Sequence, residues 1–357
     1  MRVLIVAWRD IDHPDAGGSE VVMDELAKGL LARGHQVALV CGGEHGEHEY
    51  PVVRNGGRGT QYLTAPLACR RFADADVLVE VVNGMPFLSN LWWRGPRIHF
   101  VHHVHADQWF QHFHGAVAAV GKAIETEVFP RLARGDLVTT VSPSTRDELT
   151  AIGVPAADVR VLELGVGDEL RVEAPHESDE PLFVACGRLS PNKQYGLLLD
   201  LWDEVRADVG GRLVILGDGI ERDELTRRLP PGAELPGFVD HATKVRLLTD
   251  AWLFVHVARQ EGWGLVLLEA AAAGTPSLVL DAPGVRDAVI DGESGVLARD
   301  PDHFAKAWIE LAHDGDLRRS LAAGARARAD RFTWDRTVEQ FEAVLVEAVA
   351  RRSGRSR

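Results

Sequence analysis

Short unbroken apolar runs alternate along the chain with stretches in which apolar residues return every three or four positions. Residues 3–8 form the first such run, residues 10–18 are rich in Pro and Gly, and Val22, Leu26 and Leu30 then recur at helical spacing. Ser19 is placed to cap that helix and Gly34 to end it, and residues 36–40 supply the next strand. This is a βαβ opening. Further runs at 77–82, 98–101 and 137–141 lack the in-out alternation of a half-solvated sheet, as expected of parallel strands buried on both faces. The pattern stops in the polar stretch 171–181 and restarts with strands expected at 182–186, 213–216, 253–257 and 277–280 and helices at 197–205 and 221–229. Two successive α/β domains follow, with a cleft expected between them and ligands at the carboxyl ends of the strands.

Length agrees, since 357 residues are too many for one ordinary core and suit two domains of roughly 150 residues. A hydrophobic share of 46% and a charged share of 26% are those of a soluble globular protein. The net charge of -14 argues against nucleic acid as a partner, because phosphates would be repelled by most of the surface. The basic tail 351–357 reads as a solvated end. Cys41, Cys69 and Cys186 form neither a disulfide framework nor a zinc knuckle, which fits a cytoplasmic location. The first apolar run is closed by Arg9-Asp10, and no uncharged run approaches 18 residues, so neither an export signal nor a transmembrane segment is expected.

Four segments carry candidate chemistry. Gly17-Gly18-Ser19-Glu20 lies between the first strand and its helix, where bare glycines let amides approach a phosphate or sugar, or simply make a tight turn; the G-x-G-x-x-G dinucleotide fingerprint is absent. His99, His102, His103 and His105, followed by Asp107, offer metal ligation, a structural role or a polar site wall. Strand alternation puts His102 opposite the other three, so all four cannot converge on one ion while the strand continues. The loop 186–193 carries Arg188 and Lys193, two cations able to stabilise a departing diphosphate or simply to face solvent. Glu261 and Glu269 stand eight apart, and Gly262 and Gly264 break any single helix through both. Residues 261–264 therefore read as a loop at a helix start and 265–273 as the helix, capped by Gly274 and stopped by Pro276. One carboxylate then sits on the loop and one in the helix, with free amides between.

At these residues the chain resembles the retaining GT-B glycosyltransferases of family 4, the glycosyl transferases group 1. The resemblance runs in order through Gly17-Gly18, His103, Ser142-Pro143-Ser144, Gly187-Arg188-Leu189 with Lys193, Leu216-Gly217-Asp218-Gly219, and Glu261 with Glu269. It implies two Rossmann-like α/β/α domains facing a central cleft: an acceptor domain at 1–172, a linker at 173–181, a nucleotide-sugar domain at 182–331, and a terminal segment 332–357 whose helix crosses back to the first domain. Arg188 and Lys193 would bind the donor diphosphate, Glu269 the ribose, and Glu261, Gly262, Trp263, Gly264 and Leu265 the transferred sugar, chiefly through the Glu261 carboxylate and the amides of Trp263 and Gly264. Gly17 and Gly18 would approach the diphosphate, His103 would border the reacting centre, and Gly237, Phe238 and Val239 would flank the base.

The activity so implied is transfer of a hexose from a UDP-, GDP- or dTDP-sugar to a hydroxyl of a glycan, lipid-linked or small-molecule acceptor, with retention and with no metal or other cofactor. Peripheral membrane contact stays open. Two other readings fit the same architecture, a nucleotide-sugar epimerase and a non-catalytic sugar-nucleotide-binding protein. Acceptor contacts are expected in residues 44–61 and 85–93, where Trp92 and Trp93, with Trp109 beyond them, are candidates for stacking on a sugar as well as for packing. The chain departs from the family pattern at three places: Glu163-Leu164 before Gly165-Val166, Gln194 where Gly usually follows the Lys, and Ala258-Arg259-Gln260 in place of a Pro-Ser stretch.

Overall fold

A computed structural model describes residues 1–43, 46, 48–57, 59–106, 108–172 and 176–355. Residues 173–175 of the expected linker, Asp107 beside the histidines, residues 44, 45, 47 and 58 of an expected acceptor loop and the last two residues of the tail lie outside them. The chain divides into two compact units, residues 1–165 with 334–357, and residues 166–333. The division falls at 165/166 rather than at 173–181. Residues 166–172 belong to the second unit, where the Val166 amide donates to the Phe332 carbonyl and Arg171 pairs with Asp330 at 2.8 Å.

In the first unit β1 (Arg2–Val6), β2 (Gln36–Cys41), β3 (Val52–Arg54), β4 (Val77–Val82), β5 (Arg97–Val101), β6 (Leu137–Thr140) and β7 (Val159–Val161) form one sheet in the order β3-β2-β1-β4-β5-β6-β7. Every pairing is parallel. All six residues of β4 are buried, as a parallel strand covered on both faces requires, and Glu80 within it is the exception in chemistry rather than in burial. The helix Gly18–Ala32 begins one residue before Ser19, so Ser19 is not its cap. Gly17 is the N-cap, and the Glu20 carboxylate reaches back to accept from the Gly17 amide at 2.7 Å.

The C-terminal helix Trp334–Arg355 packs on that first helix and on β5. A Cβ at Gly29 would stand 2.3 Å from Val338, so the two helices touch backbone to side chain there. Phe341 meets Phe100 edge-on at 5.9 Å, and ion pairs from Arg33 to Glu342 (3.2 Å), Arg160 to Glu347 (2.6 Å) and Arg351 to Asp158 (2.7 Å) line the seam.

The second unit repeats the plan with β8 (Leu182–Cys186), β9 (Arg212–Leu216), β10 (Ala233–Gly237), β11 (Leu253–His256), β12 (Ser277–Leu280) and β13 (Gly295–Ala298), all parallel, in the order β10-β9-β8-β11-β12-β13. Its core is aromatic: Phe183, Trp202, Phe304 and Trp308 are fully buried, with Phe183 edge-on to Trp308 at 5.2 Å. Among the described residues no helix is long and apolar enough to cross a membrane.

Candidate functional site

In each sheet the strand order reverses beside the first strand, between β1 and β4 in one unit and between β8 and β11 in the other. Connections leave such neighbours toward opposite faces, opening a crevice at their carboxyl ends. The loops of interest lie there: residues 187–194 follow β8 and residues 257–264 follow β11.

The loop after β8 is seated against the loop after β9. The Gly187 amide donates to the Leu216 carbonyl and the Leu189 amide to the Asp218 carbonyl, each at 2.9 Å. A Cβ at Gly217 would stand 2.0 Å from the Gly187 carbonyl oxygen, so only glycine permits this approach. Arg188 is exposed at the rim, while Lys193 reaches inward and pairs with Glu261 on the other loop. His256, the last residue of β11, lies with Nε2 2.9 Å from the same Glu261 Oε1. Burial alone would raise the Glu261 carboxyl, but the Lys193 ammonium and the His256 contact outweigh it and hold it well below the usual carboxylate range. Burial pushes His256 the other way, toward the neutral imidazole, against the pull of Glu261.

The helix Leu265–Ala272 has Gly264 as its N-cap. The backbone amides of Trp263, Gly264, Leu265 and Val266 have no acceptor among the described residues, which leaves a row of donors at the positive end of the helix. The Trp263 ring turns away, buried edge-on against Phe332 at 5.3 Å, so this residue offers the site its backbone. Glu269, one turn further on, meets Lys244 of helix His241–Asp250 at 2.5 Å. Despite burial, Glu269 raises the Lys244 ammonium above its ordinary value. Cys186 lies within electrostatic reach of Lys244, Glu269 and Lys193, and burial pushes its thiol up to about 11. Gly237 closes β10, its carbonyl accepting from the Gly217 amide at 3.0 Å; Phe238 beyond it is 75% exposed and Val239 half-buried. Thus Lys193 and Glu261 are joined directly, and Lys244 and His256, which the sequence reading passed over, each hold one of the two carboxylates.

In the first unit Gly17 and Gly18 start the helix after β1, and one buried carboxylate organises the approach. Glu20 accepts from Trp8 Nε1 at 3.1 Å, from Arg9 Nε at 3.1 Å and from the Gly17 amide at 2.7 Å. The histidines separate as strand alternation requires. His99 is enclosed between Glu80 (3.1 Å) and Asp136 (3.5 Å); against the cost of burial these carboxylates push it up to about 9. His102 is buried on the other side and pushed down to about 4 by burial. His103 and His105 lie half-buried with ring centroids 3.9 Å apart, beyond the end of β5. Among the described residues the one group of three potential metal ligands is Asp10, Asp12 and His48, and there Arg54 is already paired with Asp10 at 2.5 Å. The tryptophans are tied into the fold: Trp92 Nε1 donates to the Phe87 carbonyl, Trp93 Nε1 to the Pro96 carbonyl and Trp109 Nε1 to Glu125.

Two parallel, doubly wound α/β units in succession are the GT-B class of fold. Residues 16–170 match the family model described as Glycosyltransferase Family 4, and residues 167–328 the model described as Glycosyl transferases group 1. The chain belongs to the glycosyltransferase family that these two models describe. It is 34% identical over 180 residues to a D-inositol 3-phosphate glycosyltransferase of Jonesia denitrificans, covering 46% of this chain and 42% of that one. It is 31% identical over 289 residues to that of Acidothermus cellulolyticus, covering 73% and 64%. The chain thus spans about half the length of the curated relatives it matches. Among solved structures, the Anabaena protein HepE in complex with UDP-glucose superposes with a TM-score of 0.81 at 19% identity, covering 97% of this chain and 100% of that one. Sucrose-phosphate synthase of Thermosynechococcus elongatus also reaches 0.81 at 19% identity, covering 98% and 99%.

Proposed function

We propose that this chain transfers a hexose from a nucleoside-diphosphate donor to an acceptor hydroxyl with retention of configuration. The observation that carries the reading is the junction of Lys193 with Glu261 beside a row of free helix amides, all at the switch point of the second unit. Arg188 and Lys193 stabilise the diphosphate as its bond to the sugar breaks, Glu261 and the amides of Trp263 and Gly264 hold the sugar, and Glu269 accepts the ribose hydroxyls. The acceptor hydroxyl attacks from the face that the nucleotide leaves, through an oxocarbenium-like state, and the departing phosphate oxygen takes its proton. No side-chain base and no metal are needed for this route. UDP-glucose is the first donor to try, since HepE binds it on the same fold. D-inositol 3-phosphate is the first acceptor, after the relatives' names.

The test is nucleotide release from UDP-, GDP- and dTDP-hexoses with and without acceptor, followed by NMR of the product's anomeric centre. Arg188→Ala is expected to lower turnover by about 10²- to 10³-fold, the loss typical of one transition-state charge partner. Unchanged turnover, or an inverted anomer, refutes the mechanism.

A further inference from the structure

His256 stands out as the polar end of an otherwise apolar strand. Leu253, Phe254 and Val255 are completely buried, and His256, 2% exposed, continues the row in register with Val279 of β12. Burying an imidazole costs free energy unless a partner is gained. The partner is Glu261, met at the same oxygen, Oε1, that Lys193 takes. Glu261 Oε2 has no partner among the described residues, and the side chain is 13% exposed. One oxygen is thus anchored from inside the fold and the other is left for a ligand.

We infer that His256 is a positioning residue for the transferred sugar, anchoring Glu261 by Oε1 so that Oε2 is presented to a sugar hydroxyl. This rests on the reading of Glu261 as the sugar-side contact. Nε2 lies 2.9 Å from Oε1 but outside hydrogen-bond alignment, so the anchor is a close dipole–carboxylate contact, with the neutral imidazole's proton on the facing nitrogen. The need for a second anchor follows from the double duty of Lys193. A bound diphosphate competes with Glu261 for that ammonium, and His256, which carries no net charge, has no comparable attraction to the phosphate. Glu261 therefore keeps its orientation when the donor arrives.

The test compares His256→Leu, His256→Gln and Glu261→Gln with the unaltered protein by calorimetric titration of UDP and of UDP-glucose, which adds the sugar and removes the second charge of the terminal phosphate. His256→Leu is expected to weaken UDP-glucose by about tenfold, roughly 1.4 kcal/mol, and to leave UDP unchanged. His256→Gln, which keeps an N–H donor, recovers most of the loss. Equal weakening of UDP and UDP-glucose by His256→Leu, or no weakening of either, overturns the inference. If Glu261→Gln affects both ligands alike, the assignment of Glu261 to the sugar fails. If it acts on UDP-glucose alone while His256→Leu does not, the role of His256 fails and that of Glu261 stands.

Discussion

Gly284, which belongs to no motif, sits behind the loop that carries Glu261 and gives the sharpest handle on its proposed role. Its φ is +79°, where an L side chain costs about 1–2 kcal/mol. A Cβ added there would stand 2.0 Å from the Glu261 carbonyl oxygen and 2.6 Å from its carbonyl carbon. Both are backbone atoms, so no side chain can swing aside. The neighbouring Pro283 carbonyl accepts from the Glu261 amide at 3.0 Å, which ties the two segments together and makes Glu261 the residue that must shift. Overpacking of this kind costs about 1–3 kcal/mol, so Gly284→Ala should destabilise by about 2–5 kcal/mol in all. Displacement of Glu261 by about 1 Å should cost about 10²-fold in turnover. Gly292→Ala is the control: φ is +71°, and nothing lies within 4 Å of its added Cβ. It should lose only the backbone term, about 1–2 kcal/mol, and keep its turnover. Denaturant unfolding followed through the Trp202–Trp308 core, with nucleotide release in parallel, measures both. If Gly284→Ala unfolds with Gly292→Ala and turns over normally, the claim that this glycine shapes the Glu261 loop is wrong.

Lys244→Met strands Glu269 beside a half-open site; with both side chains about a fifth exposed, solvent softens the loss to about 1–2 kcal/mol in urea unfolding, and UDP affinity should fall because the ribose contact is no longer oriented. An unaltered UDP affinity would remove Lys244 from the site. The first unit should be most stable near pH 6.5. His99 is pushed up to about 9 from 6.5, so the folded state holds the extra proton between these values and the stabilisation, complete below 6.5, is lost as pH rises through 9. His102 is pushed down to about 4 from 6.5, so the unfolded state binds the extra proton and stability is lost as pH falls from 6.5 toward 4. His99→Gln should flatten the alkaline limb and His102→Asn the acid limb of a plot of unfolding midpoint against pH, and limbs left unchanged by both would refute the assignment.

What could be read from the chain follows from how its strands are buried. β4, β8 and β12 sit inside their sheets, covered on both faces, and so appear as mainly apolar runs with accurate ends, Glu80 being the one charge among them. The edge strands do not: β3 and β7 are three residues each and half-exposed, and β10, Ala-Glu-Leu-Pro-Gly, carries a charge and a proline. Their pairing is visible only once the neighbouring strand is in place. The same distinction governs the site. Arg188, Lys193 and Glu261 lie in loops whose glycines mark them, and Glu269 in the helix that Gly264 opens, whereas Lys244 lies in an ordinary polar helix capped by Asp240, 25 positions from Glu269, and nothing local distinguishes it. His256 reads as a polar end to a strand until Glu261 is found against it. At residue 19 the error was one of competition, since a serine in cap position lost to the longer Glu20 side chain, which satisfies the Gly17 amide from within the helix.

Two of the chain's departures from the family pattern turn out to be one. Gln194 follows the lysine where glycine is usual, and its φ of +54° explains the usual glycine, because the turn out of the loop after β8 is left-handed. A side chain there costs about 1–2 kcal/mol. Turned over so that its nitrogen faces the Val257 carbonyl (3.0 Å) and its oxygen faces Arg259 Nε (3.1 Å), the one orientation that satisfies both neighbours, the Gln194 amide bridges them and offsets that cost. Arg259 is itself within the second departure, residues 258–260, and its amide donates to the Asn192 carbonyl at 2.9 Å. The loop that carries Lys193 and the loop that carries Glu261 are therefore stitched together by the residues in which this chain differs from the pattern. Gln194→Gly would relieve the strain and cut the stitch at once. Its effect should accordingly fall on the coupling between the two loops, and hence on sugar binding, more than on the stability of the fold.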